Sequence, residues 1–228
     1  MDREVACAEL LGMMMGDGCL SNSKSQVKYW VYCSGNKLKD KEYFAKYVPS
    51  LFYQVFEKSV IAKERTDENT IYIKFSDKKV FLDLKERGIP VGRKYERLCI
   101  PDFVKKNRER EFAFMRGMFD TDGCIVWKKH EKNDYPRIEI SSKSEKFLIS
   151  LLALLKEHGF SGSISNKGKG QHRLELPGFK NLGLWFERVG SSNERNIMQV
   201  LSRQKLLKGS ISRCADAPIA QPVERASK

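Results

Sequence analysis

The strongest constraint on this chain is that it repeats itself. Leu10-Leu11-Gly12-Met13-Met14-Met15-Gly16-Asp17-Gly18-Cys19 returns at an offset of 105 residues as Met115-Arg116-Gly117-Met118-Phe119-Asp120-Thr121-Asp122-Gly123-Cys124. Gly, Met, Asp, Gly and Cys recur in register. A chain of 228 residues is long enough for two small folding units. The repeat therefore predicts two like halves, 1–105 and 106–211, with 212–228 left over as a flexible, Ala- and Pro-containing tail.

The stretches downstream of the two motifs support this division. An alternating run, Val27 to Ser34, comes after the first. The loop Lys132-Asn133-Asp134 and the run Arg137 to Ser141 come after the second. Both read as hairpins. Helical patterns come next, Lys39 to Phe56, kinked or divided at Pro49, and Glu145 to Gly159. Second hairpins succeed them, Val60 to Arg65 with Ile71 to Phe75, and Ser163 to Lys167 with Arg173 to Leu176. Closing helices span Lys78 to Arg87 and Lys180 to Arg188. Ile100 to Asn107 is the junction. The fold class is α+β: a pseudo-twofold tandem repeat of an α-β-β-α-β-β-α unit, with two antiparallel sheets.

Within the repeated helix, Gly12 and Gly16 share a face, as do Gly117 and Thr121. Glycine inside a helix costs about 1 kcal/mol, and close packing of one copy on the other is the compensation expected here. Gly18 and Gly123 are expected to end the helices, which places Asp17 and Asp122 at helix C-termini, the unfavourable end of the dipole for a carboxylate. Two such carboxylates side by side repel unless a cation binds. Mg²⁺ suits them, because it accepts a few carboxylates together with phosphate oxygens and water. A plain Asp-Gly turn is the alternative for either copy taken alone. Asp120 faces Met15 across the repeat, so a structural role is expected for it.

Charge narrows the partner. Lys and Arg total 42 against 29 Asp and Glu, a net charge of +13, which favours a polyanion. The strand faces suit double-stranded DNA. Lys28, Trp30, Tyr32 and Ser34 lie opposite the apolar phase Val27, Tyr29, Val31 and Cys33. Tyr72 and Lys74 take the same polar phase in the first half; Arg137, Glu139, Ser141, Arg173 and Glu175 take it in the second, with Lys128 and Lys167 nearby. Such a surface can read base edges in the major groove and hold phosphates. Six cysteines without a CxxC pair give no zinc spacing. Free thiols, the absence of a secretory pattern and the shortness of the longest apolar run predict an intracellular protein, cytoplasmic or nuclear/organellar, with no membrane segment. His130, His158 and His172 fall in loop-like or surface contexts and offer no nucleophilic set.

The two motifs, Leu10 to Gly18 and Met115 to Gly123, resemble the signature of the monomeric, two-motif LAGLIDADG homing endonucleases. The resemblance in element order covers about residues 5 to 210. It departs at Met15, where the family usually has an acidic residue. It implies motif helices at the centre of a pseudo-twofold molecule, a saddle of two four-stranded sheets over a long asymmetric DNA target, and divalent metal held by Asp17 and Asp122. Mg²⁺ or Mn²⁺ is the implied cofactor, with Ca²⁺ supporting binding without efficient cleavage. The family often places a Lys near each active centre. Lys94 matches in the first half, Lys143 is a further candidate, and the second half offers only Arg195 within Asn193 to Asn196. The implied activity is site-specific double-strand hydrolysis of DNA by a monomer, in intron homing. An intron RNA maturase on the same fold, with RNA as partner, is one alternative; a non-cleaving DNA-binding regulator is another. The lack of flanks of protein-splicing size points to a free-standing or intron-encoded enzyme.

Overall fold

Two helices pass each other at the centre of the molecule. In the computed structural model, which describes residues 1–23, 27–130 and 133–203, these are α1 (Arg3–Gly16) and α4 (Arg108–Asp122). Asp2 caps α1 by accepting from the Glu4 N–H at 2.7 Å, and Asn107 caps α4 by accepting from the Glu109 N–H at 2.7 Å. Every residue of α1 from Ala6 to Gly16 is buried. The helix is therefore apolar nearly all round, as expected of an element enclosed by protein.

Each central helix leads into a four-stranded antiparallel sheet. β1 (Gly18–Ser23), β2 (Lys28–Asn36), β3 (Lys63–Glu64) and β4 (Thr70–Ser76) pair in the order β1-β2-β4-β3. β5 (Gly123–His130), β6 (Asn133–Ser142), β7 (Ser163–Asn166) and β8 (His172–Pro177) repeat that order as β5-β6-β8-β7. Matching registers confirm the repeat: Gly18 lies opposite Cys33, and Gly123 opposite Ile140. On one face of the first sheet Leu20, Val31, Cys33, Ile71 and Ile73 enter the core; on the second, Ile125, Ile138, Ile140, Leu174 and Leu176 do so. Each such side chain contributes about 1.5–3 kcal/mol when fully buried.

Helices cover only that apolar face. They are α2 (Val48–Phe56) and α3 (Lys78–Glu86) in the first half, and α5 (Glu145–Glu157) and α6 (Phe179–Arg188) in the second. A final helix, α7 (Glu194–Leu201), returns to the centre.

Several expectations are corrected. Of the kink or division expected at Pro49, the helix is divided. A π-helical turn, Tyr43–Tyr47, precedes α2, and the Val48 N–H reaches back five residues to the Tyr43 carbonyl. The missing Pro49 N–H leaves no i→i−4 bond to make there, and the wider turn accommodates the ring. Val27 is not an inward strand residue. It is 75% exposed with φ 49°, in the turn before β2. Asn133 and Asp134 belong to β6 rather than to a loop. The strand expected over Val60 to Arg65 shrinks to Lys63–Glu64, and Ile61 is 79% exposed. Gly18 and Gly123 do follow the helices but are not left-handed caps; Gly123 has φ −101° and ψ 162°. Their need for glycine is steric, since a Cβ would lie 2.5 Å from the Met14 carbonyl oxygen or 2.3 Å from the Phe119 ring. His158 is neither in a loop nor at the surface: it caps α5, buried, with Nε2 2.7 Å from Glu111. His172 lies in β8, 3.5 Å from Glu145. The expected tail, 212–228, lies outside the described residues. No described helix is long and apolar enough to cross a membrane.

Candidate functional site

The glycine faces set the distance between the central helices. A Cβ on Gly12 would stand 2.2 Å from the Phe114 carbonyl oxygen, and one on Gly117 2.2 Å from that of Glu9. Gly16 and Thr121 meet at the far end, where a Cβ on Gly16 would lie 2.0 Å from the Thr121 hydroxyl and 3.2 Å from Asp122 Oδ2. The contact is backbone to backbone. It brings the two helix C-termini, and hence Asp17 and Asp122, to one place.

Asp17 is the C-cap residue of α1, and Asp122 is the last residue of α4. Burial pushes both carboxyls above the ordinary carboxylate range, and the charge of Asp17 pushes Asp122 further up. Lys94 opposes the rise at both. Its ammonium donates to the carbonyls of Gly16 and Gly18, the latter at 2.7 Å. That position places a cation at the negative end of α1. Burial pulls the Lys94 pKa down, while Asp122 and Asp17 pull it back up.

The second half uses a different side chain. Arg195 Nη2 donates to the Asp120 carbonyl at 3.3 Å and to the Gly123 carbonyl at 3.5 Å, and Nη1 pairs with Asp40 at 2.9 Å. Lys143 does not join this group. Its ammonium sits over the Tyr95 ring, 5.1 Å from the centroid, and among the described residues it makes no ion pair with either aspartate.

Asp120 turns away from the centre. Its carboxylate is buried and accepts from the Ser191 hydroxyl, the Ser192 N–H at 2.7 Å and the Asn196 amide at 3.1 Å. Burial pushes its pKa up to about 7. Met15, its counterpart across the repeat, is buried among apolar neighbours.

Two buried residues that the sequence patterns did not single out complete the middle. Glu9 accepts from Arg116 Nη2 at 2.6 Å, the Tyr47 hydroxyl at 2.8 Å and the Ser192 hydroxyl at 2.7 Å, which ties α1 to α4 and to the chain before α7. Asp40 is the other. At the repeat offset Glu9 falls on Phe114, and Asp40 on Glu145, which lies 3.5 Å from His172 of its own half, so the repeat carries no signal for a role across the halves.

The bare faces of the two sheets differ. On the first, Lys28 and Lys74 lie over the Trp30 ring, at 5.6 and 4.5 Å, and Tyr32 stacks with Tyr72 at 6.0 Å. Ser34 lies beside them, opposite Tyr72. On the second, the charges pair among themselves. Arg137 bridges Glu139 and Glu175, Arg173 pairs with Glu139 at 2.7 Å, and Lys167 pairs with Glu175 at 2.8 Å. Glu139 is only 3% exposed, which corrects its assignment to an open reading surface. Period-two alternation put it on the right face, but the arginines beside it cover it. Lys128 and Lys167 remain exposed, and Ser141 lies opposite Arg173.

The donor set fits a hard divalent cation. Asp17 and Asp122 offer carboxylate oxygens whose pKa values are raised chiefly by burial, a rise that Lys94 only partly offsets. No group of three or more His, Cys, Asp or Glu suited to a metal occurs among the described residues. Two carboxylates, with phosphate oxygens and water filling the remaining positions, are what Mg²⁺ accepts.

Comparison with known proteins agrees with this architecture. A model of the family described as LAGLIDADG-like domain matches residues 109–190. The homing endonuclease I-DmoI, solved in complex with DNA and Ca, shares the fold with a TM-score of 0.62 at 14% identity, over 88% of this chain and 100% of that one. A variant of I-SmaMI aligns with a TM-score of 0.61 at 12% identity, over 94% of this chain and 93% of that one. The replication factor C small subunit of Methanocaldococcus jannaschii is 26% identical over 199 residues. The chain spans only 10% of the length of that relative.

Proposed function

We propose that this chain, which carries a LAGLIDADG-like domain and has the fold of the two-motif homing endonucleases, is a site-specific, metal-dependent double-strand DNA endonuclease. The observation that carries the reading is the meeting of Asp17 and Asp122, both half-buried, at paired helix C-termini, where the charge of Asp17 destabilises that of Asp122. A structural pair of turns has no reason to place two carboxylates where burial, repulsion and two helix dipoles all oppose their charge. A divalent cation held by them would activate water and stabilise charge on the scissile phosphate.

The side chains of this protein do the rest. Lys94 holds its ammonium at the C-terminus of α1, where it offsets the carboxylate charge and can meet a phosphate oxygen. Arg195, rather than Lys143, is assigned as the second-half cation, because its guanidinium reaches the Gly123 carbonyl as Lys94 reaches that of Gly18. The bare faces of both sheets form the saddle on the duplex. Lys28, Lys74, Lys128 and Lys167 contact phosphates; Trp30, Tyr32, Ser34, Tyr72, Ser141 and Arg173 face the grooves. Arg137, Glu139 and Glu175 contribute by fixing that surface. The protein works as a monomer, one half for each strand.

Selection of cleaved sites from a library of duplexes tests the reading. Mg²⁺ should yield one long asymmetric site cut on both strands, and EDTA should abolish cutting. Binding without cutting would favour a regulator, and preference for structured RNA would favour a maturase; either result contradicts the proposal.

A further inference from the structure

The two cations at the centre are held by different means. Lys94 reaches the α1 terminus directly, from the chain just beyond α3, and the charges it meets are Asp17 and Asp122 themselves. Arg195 belongs to α7, the last described helix, and is held by a residue of the opposite half. Asp40 is 6% exposed. Its Oδ1 pairs with Arg195 Nη1 at 2.9 Å and accepts from Asn193 Nδ2 at 2.9 Å. Its Oδ2 accepts from the Asn36 N–H at 2.9 Å. The backbone is fixed as well, since the Asp40 N–H donates to the Asn36 carbonyl at 2.8 Å and the Phe44 N–H donates to the Asp40 carbonyl at 2.9 Å.

Asn193 extends the link. Its side-chain oxygen caps α7 by accepting from the Arg195 N–H at 3.1 Å, and its amide also donates to the Asp120 carbonyl at 3.2 Å. One carboxylate of the first half therefore holds both the start of α7 and the guanidinium that α7 presents. A buried carboxylate that accepts on both oxygens, from three donors, is held in one geometry, and a guanidinium paired with it inherits that geometry.

We propose that Asp40 is a positioning residue for the second-half cleavage centre: it holds Arg195 across the boundary between halves, at the C-terminus of α4, where it balances Lys94. The inference rests on the endonuclease reading and adds that the two strands are cut by centres of unequal construction. Removing the Asp40 charge frees Arg195 to leave the Gly123 carbonyl. That disturbs one centre and leaves in place the Lys94 contacts with the Gly16 and Gly18 carbonyls.

Strand-resolved, single-turnover cleavage of the selected duplex in Mg²⁺ tests this, using wild type, Asp40→Asn, Arg195→Ala and the double variant. Arg195→Ala identifies the strand that Arg195 serves. Asp40→Asn should slow the same strand about 10-fold or more, with the other strand within about 3-fold. The double variant should be no slower than Arg195→Ala, because one residue acts through the other. A readout without metal or DNA accompanies it: amide exchange over Glu194–Leu201 should rise about 10-fold in Asp40→Asn while the α1 amides stay protected. Multiplicative effects in the double variant overturn the proposal. Equal loss on both strands, or an Asp40→Asn protein that does not fold, gives Asp40 a purely structural role and also overturns it. A wild type that cuts neither strand of any duplex refutes the endonuclease reading, and the proposal falls with it. Wild-type cutting with an unchanged strand ratio in Asp40→Asn overturns the proposal alone.

Discussion

Gly117→Ala sets two elementary effects against each other. In an isolated helix the change stabilises by about 1 kcal/mol, because alanine loses less backbone freedom on folding. In α4 the added methyl would stand 2.2 Å from the Glu9 carbonyl oxygen and 2.7 Å from the Met13 nitrogen. Both atoms are helical backbone and have no rotamer in which to escape. Restoring ordinary contact requires the helices to part by about 1 Å, a gap that forfeits a quarter to a half of the dispersion energy along the seam. It also strains the buried Glu9–Arg116 pair, one residue away. Overpacking of this kind costs about 3 kcal/mol, the upper end of the usual range, and exceeds the propensity gain. The net loss of about 2 kcal/mol corresponds, for a protein of this size, to a fall in Tm of about 4–8 °C. Thermal unfolding followed by circular dichroism reads it directly. A Tm equal to or above that of wild type would refute the claim that the central helices touch backbone to backbone.

Other parts of the structure give further expected outcomes. Glu9→Ala leaves the half-buried Arg116 with the Val189 carbonyl but without its carboxylate and should cost about 2–3 kcal/mol, read by chemical denaturation. Lys28→Ala and Lys74→Ala should each weaken DNA binding across all sequences and reduce the salt slope by about one, whereas Glu175→Gln should leave that slope nearly unchanged; titrations at several salt concentrations measure this. Asp77 caps α3 by accepting from the N–H groups of Lys79 and Val80, and its hydrogen bond from Lys58 holds its pKa below the ordinary value. Because the folded pKa is the lower one, its stabilisation is present at neutral pH and is lost as the carboxylate protonates. Asp77→Ala should therefore cost about 1 kcal/mol at pH 7, and the gap from wild type should close below about pH 4 in urea unfolding curves.

Much of the fold was legible because duplication writes every constraint twice. The face of small residues four apart (Gly12 and Gly16, Gly117 and Thr121), the Asp-Gly pair and the alternating strands each appear in two places, and a pattern too weak alone gains weight by recurring. Features that occur in one half alone lack this reinforcement. Asp40, Glu9 and Arg116 join one half to the other; at the repeat offset Glu9 and Arg116 correspond to Phe114 and Leu11, and Asp40 to Glu145, which faces His172 of its own half; Asp40 also sits in a Lys-rich polar run that resembles solvated surface. α7 had a local signal, Asn193 before Glu194 with apolar residues at helical spacing, but it lay past the repeated unit. Periodicity assigned Glu139 to the correct face of its sheet. Its burial is tertiary, set by two arginines that reach it from β6 and β8. His158 was misplaced for a similar reason: Glu111 and Phe112, which enclose it, come from the distant helix α4.

The central claim is that Asp17 and Asp122 together form the cleavage centre. The most direct measurement is strand-resolved cleavage of the selected duplex by Asp17→Asn and Asp122→Asn at saturating protein, with affinity measured separately in Ca²⁺. Each substitution removes a carboxylate charge but little volume, so folding and phosphate contacts should persist. The account predicts cleavage lower by about three orders of magnitude or more in each variant, with affinity unchanged or tighter when metal is absent. Wild-type rates on both strands in either variant would contradict it. So would a loss of binding and folding in step with cleavage, which would reduce the two aspartates to residues that close a turn.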